Sequence, residues 1–407
     1  MNFDFTKEEN MFRDSIRDFL KKEFAPIADE RDKKGPLTKE EAIDIMKKFK
    51  KIGVALDPES ARSLFAEDPV IFGIMAEEVG KVWTSLLPLF GMGIIPAIFV
   101  PLASEETQSK LMPKLERAEF IGCFAETEPE AGCDTSNLQT TAKLEGDYYI
   151  INGKKTWISN GTIADAAFVG AKDLNTGAES FFLLDREASP FDTNELHKIG
   201  WKAAPTSEMF FEDCKVPKDN EMTVMMSKAF TDPKLKELLP LSEGMMTLLG
   251  QMSPFTALMT LPRSGMGLAS IGIAQAAFDA SVKYAKERVQ FGKPIGKFQL
   301  IQEMLYHMNV LIETGRLLGY KAIDAIAKGS PEARRLSSMA KVYGGEAAIK
   351  VTYDAMQIHG GLGVSDEAPL ERYYRDARMM TIPDGTSEIM KLITGYSILG
   401  KGFSAYT

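Results

Sequence analysis

The sequence predicts a mainly α-helical chain with a small β domain in its middle, on three observations. Apolar residues recur at helical spacing over roughly the first 120 residues, alternate at strand spacing after Ile121, and return to long helical patterns beyond Val216-Pro217. Helices and strands are therefore segregated along the chain, which disfavours a doubly wound parallel sheet. No Gly-x-Gly-x-x-Gly follows a strand-like run, so a Rossmann nucleotide site is not supported. The boundaries drawn from these changes of period are 1–120 for an N-terminal helical domain, 121–225 for a central β domain and 226–407 for a C-terminal helical bundle.

Each element has its own signal. Thr6-Lys7-Glu8-Glu9 has capping-box spacing, and Phe12, Ile16, Phe19 and Leu20 continue a helical stripe that Pro26 ends. Helical patterns follow at 39–52, 72–83 and 105–117. Residues 147–153 alternate as a strand and close on Asn152-Gly153, a turn dipeptide, and 166–171, 180–184 and 208–212 are further short strands. Residues 268–290, 298–328, 331–359 and 387–399 are helices of bundle length. The apolar run 86–103 contains Pro88, Pro96, Pro101, Gly91 and Gly93, which should break a spanning helix into buried helix ends and a loop.

Composition narrows the function. With 407 residues, 44% hydrophobic and 26% charged, the chain suits a globular protein of two or three domains. Lys and Arg number 48 against 57 Asp and Glu, a net charge of −9, so no overall positive field attracts nucleic acid or an anionic membrane. Any anionic ligand must be held by local cations. Cys123, Cys133 and Cys214 form no CxxC pair, which points to a reducing compartment, by default the cytoplasm, and against a disulfide scaffold or zinc site. His197, His307 and His359 are too scattered to be metal ligands and are read as structural, so no metal is expected. The acidic residues 1–10 lack the basic and apolar regions of a secretory signal.

Five separated motifs, in order, resemble those of the acyl-CoA dehydrogenases. Residues 124–134 (FAETEPEAGCD) are similar to the family's TEPxAGSD segment, and 151–161 (INGKKTWISNG) to its NGxKxWIxNG segment. Residues 287–295 (ERVQFGKPI) with Phe298-Gln299, then 357–361 (QIHGG), then 375–378 (RDAR) with 384–389 (DGTSEI) complete the set. The resemblance implies a helical domain, a small β-barrel or sandwich and a four-helix bundle. It also implies FAD and a coenzyme A thioester substrate, usually in a homotetramer that passes electrons to electron-transferring flavoprotein.

By that resemblance Phe124, Thr127, Cys133, Trp157 and Ser159 meet the flavin. Arg288, Phe291 and Gln299 reach the FAD of a neighbouring subunit, and Gln357, Gly361, Thr386 and Glu388 add further FAD contacts. Gly132, Gly360 and Gly361 let backbone amides approach a pyrophosphate, and Arg288 supplies a planar charged donor. Arg263 matches an arginine at the nucleotide end of CoA, and Gly385 joins it as a substrate contact.

Asp384 occupies the position of the catalytic base, where most relatives have glutamate in the frame Glu-Gly-Thr. The family's other site for a glutamate base, just before an arginine early in the bundle, holds Pro262. An aspartate serves if burial raises its pKa above the ordinary value of roughly 3.9, and its reach is one methylene shorter. Asp384 would take the α-proton while the β-hydrogen leaves as hydride to flavin N5, with the thioester oxygen held by the Asp384 amide and a flavin ribityl hydroxyl. Two further departures concern the ligand. Cys133 replaces a serine, weakening a hydroxyl contact. Residues 222–261 form an insertion, read equally as a feature of the acyl entrance or as a surface or oligomer elaboration.

The aspartate, the insertion and the apolar 86–100 region suggest a compact, branched or alicyclic acyl group such as cyclohexanecarboxyl-CoA. Straight-chain and dicarboxylic thioesters such as glutaryl-CoA are the alternatives within the class. A nitroalkane oxidase-like enzyme, which also uses an aspartate, and a non-catalytic scaffold are the alternatives outside it.

Overall fold

The computed structural model describes residues 4–239, 241–400 and 402–403, so residues 1–3 of the acidic terminus and residue 240 of the insertion lie outside it. Its N-terminal section begins as the capping pattern predicts. At α1 (Lys7–Glu23) the Thr6 hydroxyl accepts from Glu9 N while the Glu9 carboxylate accepts from Thr6 N. After the short α2 (Ala28–Lys33), which the sequence reading missed, Thr38 and Glu41 repeat that box at α3 (Lys39–Lys50). Then come α4 (Pro58–Arg62), α5 (Pro69–Val82), α6 (Leu87–Phe99) and α7 (Glu105–Glu116).

The expected break in the 86–103 run does not occur. One helical stretch, Thr84–Leu102, is apolar and long enough to cross a membrane, but 78% of it is buried inside the protein, as in a core helix. Pro88 stands in the first turn of α6, where the missing N–H costs nothing, and Pro101 stands in a following 3-10 turn. Only Pro96 interrupts the interior, and it packs closely on the sheet: a Cβ added to Gly122 would lie 2.5 Å from its Cγ.

The middle section is one seven-stranded mixed sheet of β1 (Gly122–Ala125), β2 (Thr141–Glu145), β3 (Tyr148–Ser159), β4 (Ala166–Asp173), β5 (Glu179–Asp185), β6 (Asp192–Glu195) and β7 (Thr206–Pro217). The order is β1-β4-β2-β3-β7-β6, with β5 also on β4. Residues from six strands, among them Ala125, Ala142, Ile151, Val169, Leu184 and Phe211, share one apolar cluster, so the sheet wraps around it. Asn152-Gly153 is not a turn. The strand runs through it with a bulge, Gly153 opposing Phe211 of β7, and the Asn152 amide exchanges hydrogen bonds with Asp213. The hairpin turns instead at Gly146, with φ +64°.

The insertion is helical: α8 (Met222–Thr231), α9 (Pro233–Leu238), α10 (Glu243–Gln251) and α11 (Pro254–Leu258). Met225, Ala229, Met245, Leu248 and Ala257 join the core cluster of the N-terminal section. Residues 222–261 are therefore helical and packed on that core. They lead directly into the 28-residue α12 (Thr260–Glu287), followed by the hairpin β8 (Val289–Gln290) and β9 (Lys293–Pro294), then α13 (Gln299–Ala327), α14 (Ala333–His359), α15 (Leu370–Met379) and α16 (Ser387–Leu399).

Helices α12 and α14 run parallel, because Gly267 touches Ala340 at one end and Tyr284 stacks on His359 at the other. Glycine makes the approach possible: an added Cβ on Gly267 would lie 2.6 Å from the Ala340 carbonyl oxygen, and one on Gly272 would lie 2.1 Å from that of Glu77 in α5.

Candidate active site

Asp384 lies in the loop between α15 and α16 and adopts the left-handed backbone region, φ +58°, which aspartate tolerates better than most residues. Two cations hold this loop by consecutive carbonyls. Arg263, in the first turns of α12, donates from Nε to the Asp384 carbonyl at 3.0 Å, and Lys341 of α14 donates from Nζ to the Gly385 carbonyl at 2.7 Å. Arg263 is only 8% exposed and Lys341 is fully buried. Gly385 has φ +94°, and a Cβ there would lie 2.5 Å from Met390 Cε, so the loop requires glycine.

Burial raises the Asp384 carboxyl above the ordinary aspartate value, while Arg263 and Lys341 pull it back down. Burial also brings Lys341 to about 8, against the opposing pull of Asp384. The result is a carboxyl with raised basicity on a pinned loop.

A sheet face lies within electrostatic reach of this loop, since Asp384 acts on Glu126 just after β1. Phe124 on β1 pairs in register with Phe168 on β4, and Phe181 on β5 stacks 5.3 Å from Phe124. Phe255 of α11 closes on both, at 6.2 Å from Phe124 and 5.8 Å from Phe181. Phe255, at the start of the C-terminal section, therefore packs next to Phe124. Just beyond β1, the fully buried Lys155 donates to the Glu126 carbonyl at 2.8 Å and to the Glu128 carboxylate at 2.7 Å. Burial opposes ionisation of Glu128, yet Lys155 and donors on Thr140 and Gln139 hold it below the ordinary value.

Lys155→Met should therefore leave Glu128 charged and unpaired, at a cost of about 3–5 kcal/mol. Urea denaturation should show the loss, together with weakened cofactor retention because the loop carrying Thr127 is released.

A register irregularity between Lys155 and Ile158 puts Trp157 at φ +61° and turns its indole outward, 58% exposed, while Thr156 N donates to the Thr127 carbonyl at 2.9 Å. A flat apolar face beside a threonine hydroxyl suits a planar ring. Gly132, Gly360 and Gly361 have nothing within 4 Å of an added Cβ, leaving room for close approach to a backbone amide.

Three family profiles match the chain: the acyl-CoA dehydrogenase N-terminal domain over residues 6–119, the middle domain over 123–214 and the C-terminal domain over 254–399. The chain belongs to the acyl-CoA dehydrogenase family. It is 33% identical over 406 residues to a glutaryl-CoA dehydrogenase of Desulfococcus multivorans, covering 98% of both chains. It is 34% identical over 408 residues to a 3-(aryl)acrylate reductase of Clostridium sporogenes, covering 97% of this chain and 99% of the relative. An acyl-CoA dehydrogenase from Bacillus anthracis solved with FAD has the same fold at TM-score 0.80 and 26% identity, over 97% of this chain and 67% of that one. As a member of this family the chain is an FAD-dependent oxidoreductase acting on CH–CH bonds.

The residues expected to meet FAD lie on separate elements in this acyl-CoA dehydrogenase. Thr386 and Glu388 stand at the start of α16 next to Asp384, while Phe124, Thr127, Cys133, Trp157 and Ser159 lie on β1, on β3 and in the segment that follows β1. Cys133 is exposed, Thr386 caps α16 by accepting from Ile389 N at 3.4 Å, and Glu388 is exposed in the first turn. Arg288, Phe291, Gln299, Gln357 and Gly361 gather at the other end of α12, around the β8–β9 hairpin and the end of α14. The hairpin tip has φ +49° at Phe291 and +75° at Gly292 and leaves Phe291 93% exposed. Arg263 and Arg288 are 25 residues apart on one helix, about 37 Å.

Arg263 was expected at the nucleotide end of CoA; here its guanidinium is turned inward onto the carbonyl of Asp384. Sequence reading also missed Lys341, Glu126, the Lys155–Glu128 pair and Phe255. Glu126, Glu128 and Lys155 stood inside the quoted 124–134 and 151–161 motifs, whereas Lys341 and Phe255 carried no signal. His359 is buried with Nδ1 2.8 Å from the Ala355 carbonyl, and among the described residues no cluster could hold a metal ion.

Proposed function

We propose that this acyl-CoA dehydrogenase desaturates an uncharged, compact acyl group, such as cyclohexanecarboxyl-CoA, with Asp384 as the base. The observation that carries this reading is the Asp384 carboxyl, raised by burial and presented by a loop whose carbonyls are tied to Arg263 and Lys341. FAD, when bound, supplies the acceptor for the β-hydrogen, and Thr127, Trp157 and Ser159 would hold its ring. Asp384 accepts the α-proton at a carboxylate oxygen. Its amide N–H has no acceptor among the described residues, so it is available to the thioester oxygen as that oxygen gains charge.

Three features support an uncharged acyl group. Helix α6 carries no charged residue, Phe255 adds aromatic wall, and the shorter aspartate needs the α-carbon close to the loop. The FAD contacts at opposite ends of α12, Thr386 and Glu388 at one and Arg288, Phe291 and Gln299 at the other, support an assembly in which the latter three residues of one copy complete the site of another, in a homotetramer. Electron-transferring flavoprotein is the proposed acceptor, and the cytoplasm the proposed compartment.

The test is anaerobic bleaching of the flavin by straight, branched, dicarboxylic and cyclic thioesters. A cyclic or branched thioester should bleach it fastest. Bleaching by nitroalkanes and by none of the thioesters would reject the reading.

A further inference from the structure

A second carboxyl shares the space of Asp384. Glu126 follows β1 and, by the two-residue period of an extended chain, lies on the face of Phe124. Extending the β1–β4 register past Phe124 and Phe168 sets it beside Gly170, which has no side chain to cover it. Across β5 the same face carries Phe181, opposite Gly170, and Glu179, opposite Lys172. The hold of Lys155 on the Glu126 carbonyl fixes the backbone from which the side chain starts.

The charged groups acting on Glu126 come from four elements: Glu179 on β5, Lys155 on β3, Arg263 on α12 and Asp384 in the base loop. Its place on the face of Phe124, near enough to Asp384 and Arg263 for their charges to act on it, puts it on the side of the sheet nearest the base loop. Glu126 is half-buried, and no hydrogen bond among the described residues involves its carboxyl oxygens. An unbonded carboxyl that keeps some accessible surface between an aromatic wall and the base has no structural task to explain it.

Resting on the acyl-CoA dehydrogenase reading above, we propose that Glu126 is a specificity residue that repels acyl groups ending in a carboxylate and admits uncharged ones. Like charges enclosed in one site are costly where water is scarce. Burial, followed by Glu179, raises Glu126 to about 7, with Lys155 and Arg263 opposing. The repulsion should therefore strengthen as pH rises through neutrality, because the deprotonated form carries the charge.

The test compares binding of glutaryl-CoA and pentanoyl-CoA, which match in chain length and differ in the distal carboxylate. Asp384→Asn holoenzyme is used so that the base neither titrates nor turns over. Affinity is read from the change in the flavin spectrum between about pH 5.5 and 8. With Glu126 present, the preference for pentanoyl-CoA should grow by about tenfold over this range. Adding Glu126→Gln should flatten the pH trend and raise relative glutaryl-CoA affinity at the alkaline end.

A preference that is flat with pH while Glu126 is present would overturn the proposal, and this arm needs no second variant. Equal weakening of both thioesters by Glu126→Gln, with the preference unchanged, would overturn it too and mark a structural role. Failure of every thioester to perturb the flavin would instead reject the acyl-CoA reading, and this proposal with it.

Discussion

Asp384→Asn should give a folded, yellow protein whose flavin is reduced by its thioester about 10²- to 10⁴-fold more slowly, the usual contribution of a positioned general base. The variant isolates the chemistry because asparagine also tolerates φ near +58°, so the loop and its bonds to Arg263 and Lys341 should persist. Rapid mixing under anaerobic conditions gives the reduction rate, and the visible spectrum gives cofactor content. Near wild-type reduction with full flavin would remove Asp384 from the role of base. In the wild type, activity should rise with pH through the carboxyl's raised pKa, since only the deprotonated form accepts a proton.

Arg263→Gln should move that pH dependence upward. Burial raises Asp384 and Arg263 opposes it, so removing the guanidinium leaves burial less compensated. A neighbouring cation typically lowers a carboxyl by one to three units, so the acid limb of kcat/KM should shift up by roughly that amount. A smaller fraction of Asp384 is then ionised at neutral pH, and loss of the bond to its carbonyl loosens the loop. Turnover should fall most at the acid end of the profile and recover toward higher pH. A uniform loss with an unmoved profile would mean that Arg263 only braces the loop.

Local signals were legible in the sequence, and contacts between distant segments were not. The capping box at Thr6 read correctly because it needs only four consecutive residues, whereas the matching box at Thr38 went unread. Asn152-Gly153 misled because pairing with β7 overrides a turn dipeptide. The prolines of α6 misled because two stand at helix or turn starts and the third is enclosed by the sheet. At the site, Asp384 stood out through its motif. The bond from Arg263 to Asp384 joins residues 121 positions apart, and the field of Asp384 at Glu126 crosses from bundle to sheet. No spacing rule encodes either.

The outward turn of Trp157 also bears on how cofactor loading can be followed. The chain has three tryptophans, and Trp83 and Trp201 are 1% and 5% exposed against 58% for Trp157. A collisional quencher such as iodide would thus reach essentially one emitter. If FAD covers that indole, flavin occupancy becomes readable as protection of a single fluorophore from quenching, with no engineered label.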